Sequence, residues 1–397
     1  MGNNKFIVQE KSKVINKQFV LLHAIAIILV VFNHKGGGGV NILDDWFTSY
    51  RLPLFIFVSG YFFKLSYTED MLRFILRKIK HLILPYFGWN LVYGLINMLL
   101  HKFQVIDYAK AEITFHDFFI APWIHGHQYI FNLAAWFVLI LFLVQLSYFF
   151  FRWICEKVKF KNDFIMLLLF FVLSASCAYV SQKIENVGIT LYSPFLKTGF
   201  FLIFFHFGYY YRNKLEKFDT LNSFIYFGIL FAIQGFINNS EVGNYNYVIS
   251  WLNFNDAMFL PIIVSFTGIL LWLRITRILV RAIGDNKIIT FIGNNTWDIM
   301  THHIFVFFLI NCLLFALCIP DFDVVQFKTE AYYAYIYKSH HILLLYATAG
   351  VALPLLYRYY ASKLSNRLRK HEFFQLSKIR FLKNKMFAMV YSFWKRY

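Results

Sequence analysis

Ten stretches of the chain are apolar over roughly the length that a helix needs to cross hydrocarbon. They are residues 18–33, 46–63, 82–100, 129–151, 164–182, 191–211, 221–237, 256–273, 296–319 and 339–357. A bilayer core of ~30 Å takes about 20 residues of helix. Lipid offers no hydrogen-bond partner, so each N–H and C=O within it must bond inside its own segment, which selects helices. The expected fold is all-α: a polytopic membrane helical bundle of about ten transmembrane helices. Composition agrees, with 59% of residues hydrophobic and 21% aromatic, beyond the half-apolar average of soluble domains.

A net charge of +18 would suggest nucleic acid in a soluble protein. Here the placement of the charge decides otherwise. Of the 39 Lys and Arg, 31 fall before the first run, in every second connection after it, or in the tail beyond the last. Basic loops stay on the cytoplasmic side. The pattern therefore gives ten spans with N- and C-termini cytoplasmic, and no nucleic-acid partner is expected. Residues 1–17 read as a cytoplasmic N-terminus, 18–360 as the transmembrane domain and 361–397 as a basic amphipathic cytoplasmic tail. That tail is too charged to span and is expected to lie on membrane lipids as an interfacial helix. The first sixteen residues are polar and no small-x-small exit follows, so the first run reads as a signal anchor. Cys155, Cys177, Cys312 and Cys318 form no CxxC pair, and neither a disulfide nor a metal site is expected.

Ionisable residues within the runs are costly, so they are functional candidates. His23 and His34 share the first run. Since that run travels outward, His34 is expected at the outer membrane face, with His23 ~16 Å below it at 1.5 Å per residue. The second run returns from Arg51, which puts Arg51 at the outer level too. A neutral imidazole beside a guanidinium suits a general base beside an anion stabiliser. Asp44 and Asp45 are close enough in sequence to orient the imidazole. The four glycines at 36–39 favour a flexible loop after His34. In the ninth run Asp298 and His302 share a helix face, and His303 points about 100° away. Counted from the start of the run, all three fall in the cytoplasmic third, near the depth of His23. Two polar layers follow, with a conduit between them that suits a donor from one side and an acceptor on the other.

Plainer accounts exist for each residue. His34 also fits as a polar residue at headgroup level, and His302 and His303 as packed polar contacts. His206 is expected to bond a neighbouring helix. The loop histidines His116, His125 and His127 are expected in solvent, not on a metal. Lys197 is expected to snorkel. Arg73, Arg77 and Lys80 serve either as topology signals or as a clamp for the phosphates of a cytoplasmic donor.

Several motifs then bring in a family. His23-x10-His34 is followed by Arg51-Leu-Pro-Leu-Phe55 running to Ser59-Gly60-Tyr61. Next comes the basic segment Arg73…Arg77…Lys80 ending in Pro85-Tyr86, and then Asn132…Trp136-Phe137. Phe204…His206…Gly208-Tyr209 and Ile292-Gly293…His303 close the series. Their order over roughly 15–360 resembles the membrane acyltransferase-3 family, in particular its branch similar to fucose 4-O-acetylases. The resemblance implies an O-acyltransferase of the bacterial cytoplasmic membrane. Acetyl-CoA would be the donor substrate, with no bound cofactor, and a surface or lipid-linked glycan hydroxyl the acceptor. It casts His34 as general base or transient acyl acceptor, with Arg51 stabilising charge beside it. Arg73, Arg77 and Lys80 would meet the donor's phosphates, and His23 and His303 would line the inner conduit. The chain departs from the family at His23, where the family carries Arg, and at Val20, where it carries an acid. The rival function is a transporter or flippase for a lipid-linked glycan, although no internal repeat is visible.

Overall fold

The computed structural model describes residues 17–34, 50–107, 109–239, 247–255, 257–320, 322–329, 331 and 342–367. Asp44, Asp45, the four glycines and the tail beyond 367 lie outside these residues. Each of the ten apolar runs carries a helix. These are α1 (Lys17–His34), α2 (Arg51–Tyr61), α3 (Met71–Lys102), α4 (Trp136–Lys157), α5 (Asp163–Ser181), α6 (Ser193–Tyr210), α7 (Ser223–Asn239) and α8 (Leu260–Ile283). A short extra helix, α9 (Lys287–Asn294), precedes α10 (Thr296–Ala316), and α11 covers 343–367. Among the described residues, six segments are long and apolar enough to cross a membrane: α1, α3, Ile130–Lys157 (α4 with its leading 3₁₀ turn), α5, α8 and α10. No strand forms among the described residues beyond a single Val248–Asn253 bridge. The fold is an all-α, multi-pass membrane bundle.

Helix α3 starts eleven residues before the apolar run that announces it. The Asp70 carboxylate caps it by accepting from the Arg73 N–H at 3.0 Å, a standard use of Asp at a helix start. The helix then continues through a π-helical turn at Ile79–Ile83. That wider turn stands just before Pro85, whose ring would clash with the carbonyl four residues back in a regular α-helix.

The centre of the bundle is α6, which is buried over almost its whole length. A helix apolar on all sides belongs inside. It packs on α2 with backbone touching backbone. A Cβ on Gly60 would lie 1.8 Å from the Phe205 carbonyl oxygen, and one on Gly208 2.0 Å from that of Phe57. Small residues permit this close approach. His206, on the same helix, makes the plain contact expected of it. Its Nε2–H donates to the Asp163 carbonyl at 2.9 Å, while Tyr148 donates to its Nδ1 at 2.9 Å.

Several arginines of the basic loops also fasten helix ends. Arg152 pairs with Asp163 at 2.7 Å. Asp219 is held by Arg274, by Arg277 at 2.8 Å and by the Tyr211 hydroxyl at 2.7 Å. Buried charges persist when they are paired and hydrogen-bonded in this way.

Candidate active site

A cavity of about 390 Å³ opens between α1, α2, α4 and α10, within the range that holds small ligands. Leu82, Thr296 and Trp297 line one end, and Phe55, Phe137, Leu141 and Met300 its apolar middle. His34, Arg51 and the segment Tyr247–Ser250 line the other end. Its span follows from helix register. Gly293 lies against Val20, where a Cβ would come within 2.1 Å of the Val20 carbonyl oxygen. Three residues on from each stand Thr296 and His23, so the cavity runs from the level of His23 to that of His34, ~16 Å of helix rise. His23 itself stacks on Phe55, ring centroids 5.6 Å apart, and Phe55 is a cavity wall.

His34 and Arg51 meet at one end of this space, as the hairpin between their helices predicts. The expectation for His303 fails. It does not lie near His23; its ring centroid is 5.2 Å from that of His34. The cause is α9. This short helix seats Gly293 on Val20, part-way up α1, so α10 begins deeper in the bundle than counting from the edge of its apolar run implies. Ten further residues of rise bring His303 to the upper end of α1. The two-layer picture is thereby corrected: His34, His303 and Arg51 are one group, and His127 is also within electrostatic reach of His34. The tautomer of His303 is fixed by its surroundings. Nδ1 stands 2.9 Å from the Ile299 carbonyl, which only accepts, so Nδ1 carries the proton. Nε2 is left with its lone pair, buried and without a partner.

His302 is a packed polar contact, its Nδ1 bonded to the Tyr93 hydroxyl at 2.7 Å and its ring against Trp89. Asp298 faces Arg358 at 3.7 Å. Arg73, Arg77 and Lys80 are exposed on α3 and none lines the cavity. Leu82, two residues beyond Lys80, does, so the basic stripe adjoins the Leu82–Trp297 end.

Two further expectations are overturned. The loop carrying His125 and His127 is not solvated but folds over the bundle. His127 packs on Trp251 with centroids 4.6 Å apart, and its Nδ1 is buried without a partner. Burial, reinforced by the charge of Lys197, pushes the His127 imidazole down to about 3, so the ring is neutral. Nor does Lys197 snorkel. It is 1% exposed, with its ammonium over the Trp136 ring at 5.0 Å. Its site near the N-terminal end of α6 is enclosed by protein, which leaves no path to the headgroups. The residues that sequence reading passes over are Tyr247 and Trp251, and it takes Trp136 only as part of a helix motif. A Trp at the foot of a helix is an unremarked interfacial residue until the fold closes a loop onto it.

A family model described as an acyltransferase domain matches residues 16–359, nearly the whole chain. No curated protein and no solved structure matches it.

Proposed function

Because the chain belongs to the acyltransferase-3 family, and is thereby a membrane acyltransferase, we propose that it moves acetyl from acetyl-CoA to a hydroxyl of a surface or lipid-linked glycan. The setting we propose is the bacterial cytoplasmic membrane, with the Leu82–Trp297 end of the cavity facing the cytoplasm. The observation that carries this reading is the cavity itself. Its apolar middle admits a slender acyl-thiol arm, and among the described residues that line it the cationic side chains, His34 (when protonated) and Arg51, stand at the far end. Arg73, Arg77 and Lys80 adjoin the near end, where the donor's phosphates would remain outside.

The residues support a direct transfer. The His34 imidazole takes the proton of the acceptor hydroxyl as its oxygen attacks the thioester carbonyl carbon. A C–O bond forms, the C–S bond breaks, and the departing thiolate receives the proton from the imidazolium. The Arg51 guanidinium faces the negative charge that develops on the carbonyl oxygen, where a preorganised cation lowers the barrier most. His303, oriented by Ile299, presents its lone pair beside His34 and is a positioning residue for it.

The test combines two measurements. The purified chain in nanodiscs, given acetyl-labelled acetyl-CoA, should release CoA and pass label to glycan. Surface glycans from cells with and without the gene are then compared by mass spectrometry. Loss of acetylation with glycan export intact supports the enzyme. Loss of the glycan itself would overturn it in favour of a lipid-linked glycan carrier.

A further inference from the structure

One cation near the cavity has no part in the acyl transfer. Lys197 is 1% exposed, and no carboxylate pairs with it among the described residues. Its ammonium lies over the face of Trp136, a cavity wall. A lone buried ammonium is costly, and proteins keep such groups where a partner charge compensates them.

Its height follows from the α2–α6 packing. The two helices run in the same direction beside α4: Phe137 meets Phe55 and Phe201 with centroids 6.1 and 6.0 Å away, and further along Tyr148 meets Phe63 and Phe205 at 5.0 and 4.7 Å, where Gly60 is seated on Phe205. Eight residues back along each stand Leu52 and Lys197. Leu52 and its neighbour Arg51 both line the cavity, so Lys197 shares the level of the proposed acyl-transfer residues.

The surroundings of Lys197 are built for a ligand, too. His127 lies 6.5 Å from Trp136 and 4.6 Å from Trp251, centroid to centroid, and offers a buried Nδ1 with no partner. Trp251 directly follows Ser250, a cavity wall. Asp117, the acid that acts on His125 together with Lys197, is already engaged by Lys110 at 2.6 Å. Burial raises its carboxyl, but the hydrogen bonds from Lys110 and Thr114 outweigh this and keep it ionised below its ordinary value.

We propose that Lys197 and His127 form a subsite for an anionic group, a carboxylate or a phosphate, on the acceptor sugar, with Trp136 and Trp251 as its apolar walls. The acceptor is then an acidic or phosphorylated glycan rather than a neutral one, anchored by its charge so that a nearby hydroxyl reaches His34. This deepens the proposed function and rests on its assignment of a glycan acceptor to the His34 end.

The experiment is thermal unfolding of the full chain in nanodiscs at fixed ionic strength, with no acetyl-CoA present. The probes are glucuronate, glucose 6-phosphate and glucose. At least one anionic sugar at ten times its Kd should raise Tm by about 2 °C, and glucose should not. The arm with the larger shift names carboxylate or phosphate. Lys197→Met should abolish the shift and Lys197→Arg should retain part of it; Lys197→Gln serves if the Met variant does not fold. No shift from either anion would overturn the subsite, as would an equal shift from glucose or an undiminished shift in Lys197→Met and Lys197→Gln. Acetyl-CoA turnover by wild type and His34→Ala is measured separately, so failure of the acyl-transfer reading and failure of the subsite are told apart.

Discussion

His303 stands with its ring centroid 5.2 Å from that of His34, and a backbone carbonyl decides which of its nitrogens is free. With Nδ1 donating to Ile299 at 2.9 Å, only Nε2 can act on a neighbour. This pairs two imidazoles at the end of the cavity where Arg51 lies. His303→Ala should therefore lower kcat by about 10–100-fold, at the lower end of what a group assisting proton transfer contributes, and leave the KM for acetyl-CoA unchanged. Steady-state kinetics on the purified variant decide the matter. A raised donor KM with unchanged kcat would return His303 to the inner, donor-holding role.

His34→Ala should remove acyl transfer to ~10²–10⁴-fold below wild type, the usual cost of losing a general base. Expression should be unchanged, because His34 ends its helix and contributes little to packing. Glycan acetylation in a deletion strain complemented with each variant gives the readout. His23→Ala should be milder, since His23 touches the cavity only through Phe55, and His23→Arg should be tolerated. Wild-type acetylation in His34→Ala would defeat the mechanism.

The exposed basic stripe of α3 carries a different expectation. Replacing Arg73, Arg77 and Lys80 together by Gln should raise the KM for acetyl-CoA by about tenfold, equivalent to ~1.4 kcal/mol of lost binding, with kcat retained. The same substitutions weaken the charge bias that orients the loop. Protease accessibility of that loop must therefore be checked in the same membranes. An unchanged donor KM in correctly inserted protein removes these residues from donor binding.

Packing predictions follow from the glycines. Gly60→Ala and Gly208→Ala each force a Cβ onto a backbone oxygen, 1.8 and 2.0 Å away. Each should destabilise the chain by ~1–3 kcal/mol, as overpacking does. At Gly88 an added Cβ meets nothing within 4 Å, so Gly88→Ala should leave Tm unchanged or slightly raised. Thermal unfolding in one detergent compares all three. Equal behaviour of Gly60→Ala and Gly88→Ala would contradict the α2–α6 contact.

Orientation is open to direct mapping. Reporter fusions at 40, 110, 240 and 330 should read as external, and those at 70, 157, 214, 285 and 390 as cytoplasmic. A swapped pair would reverse the proposed direction of donor entry.

The class of fold could be read along the chain. Apolar run length and the ban on unsatisfied backbone in lipid require helices, and a helix lies in each of the ten runs. The pairing of His34 with Arg51 was also legible, because a short hairpin brings the facing ends of two consecutive helices together whatever the rest of the bundle does. Other features depend on contacts between segments far apart in the chain. The height of His303 is set where Gly293 meets Val20, a contact that no residue count along the ninth run contains. Whether Lys197 reaches headgroups or stays buried depends on what surrounds α6, and a helix apolar on all sides does not say which neighbours it will have. The 125–127 loop was similar: its histidines look solvated until Trp136 and Trp251 close on them. Periodicity and charge act locally along the chain and are read from it. Register between helices is decided by small residues and side-chain volume at their contacts, and only the tertiary structure shows where those contacts fall.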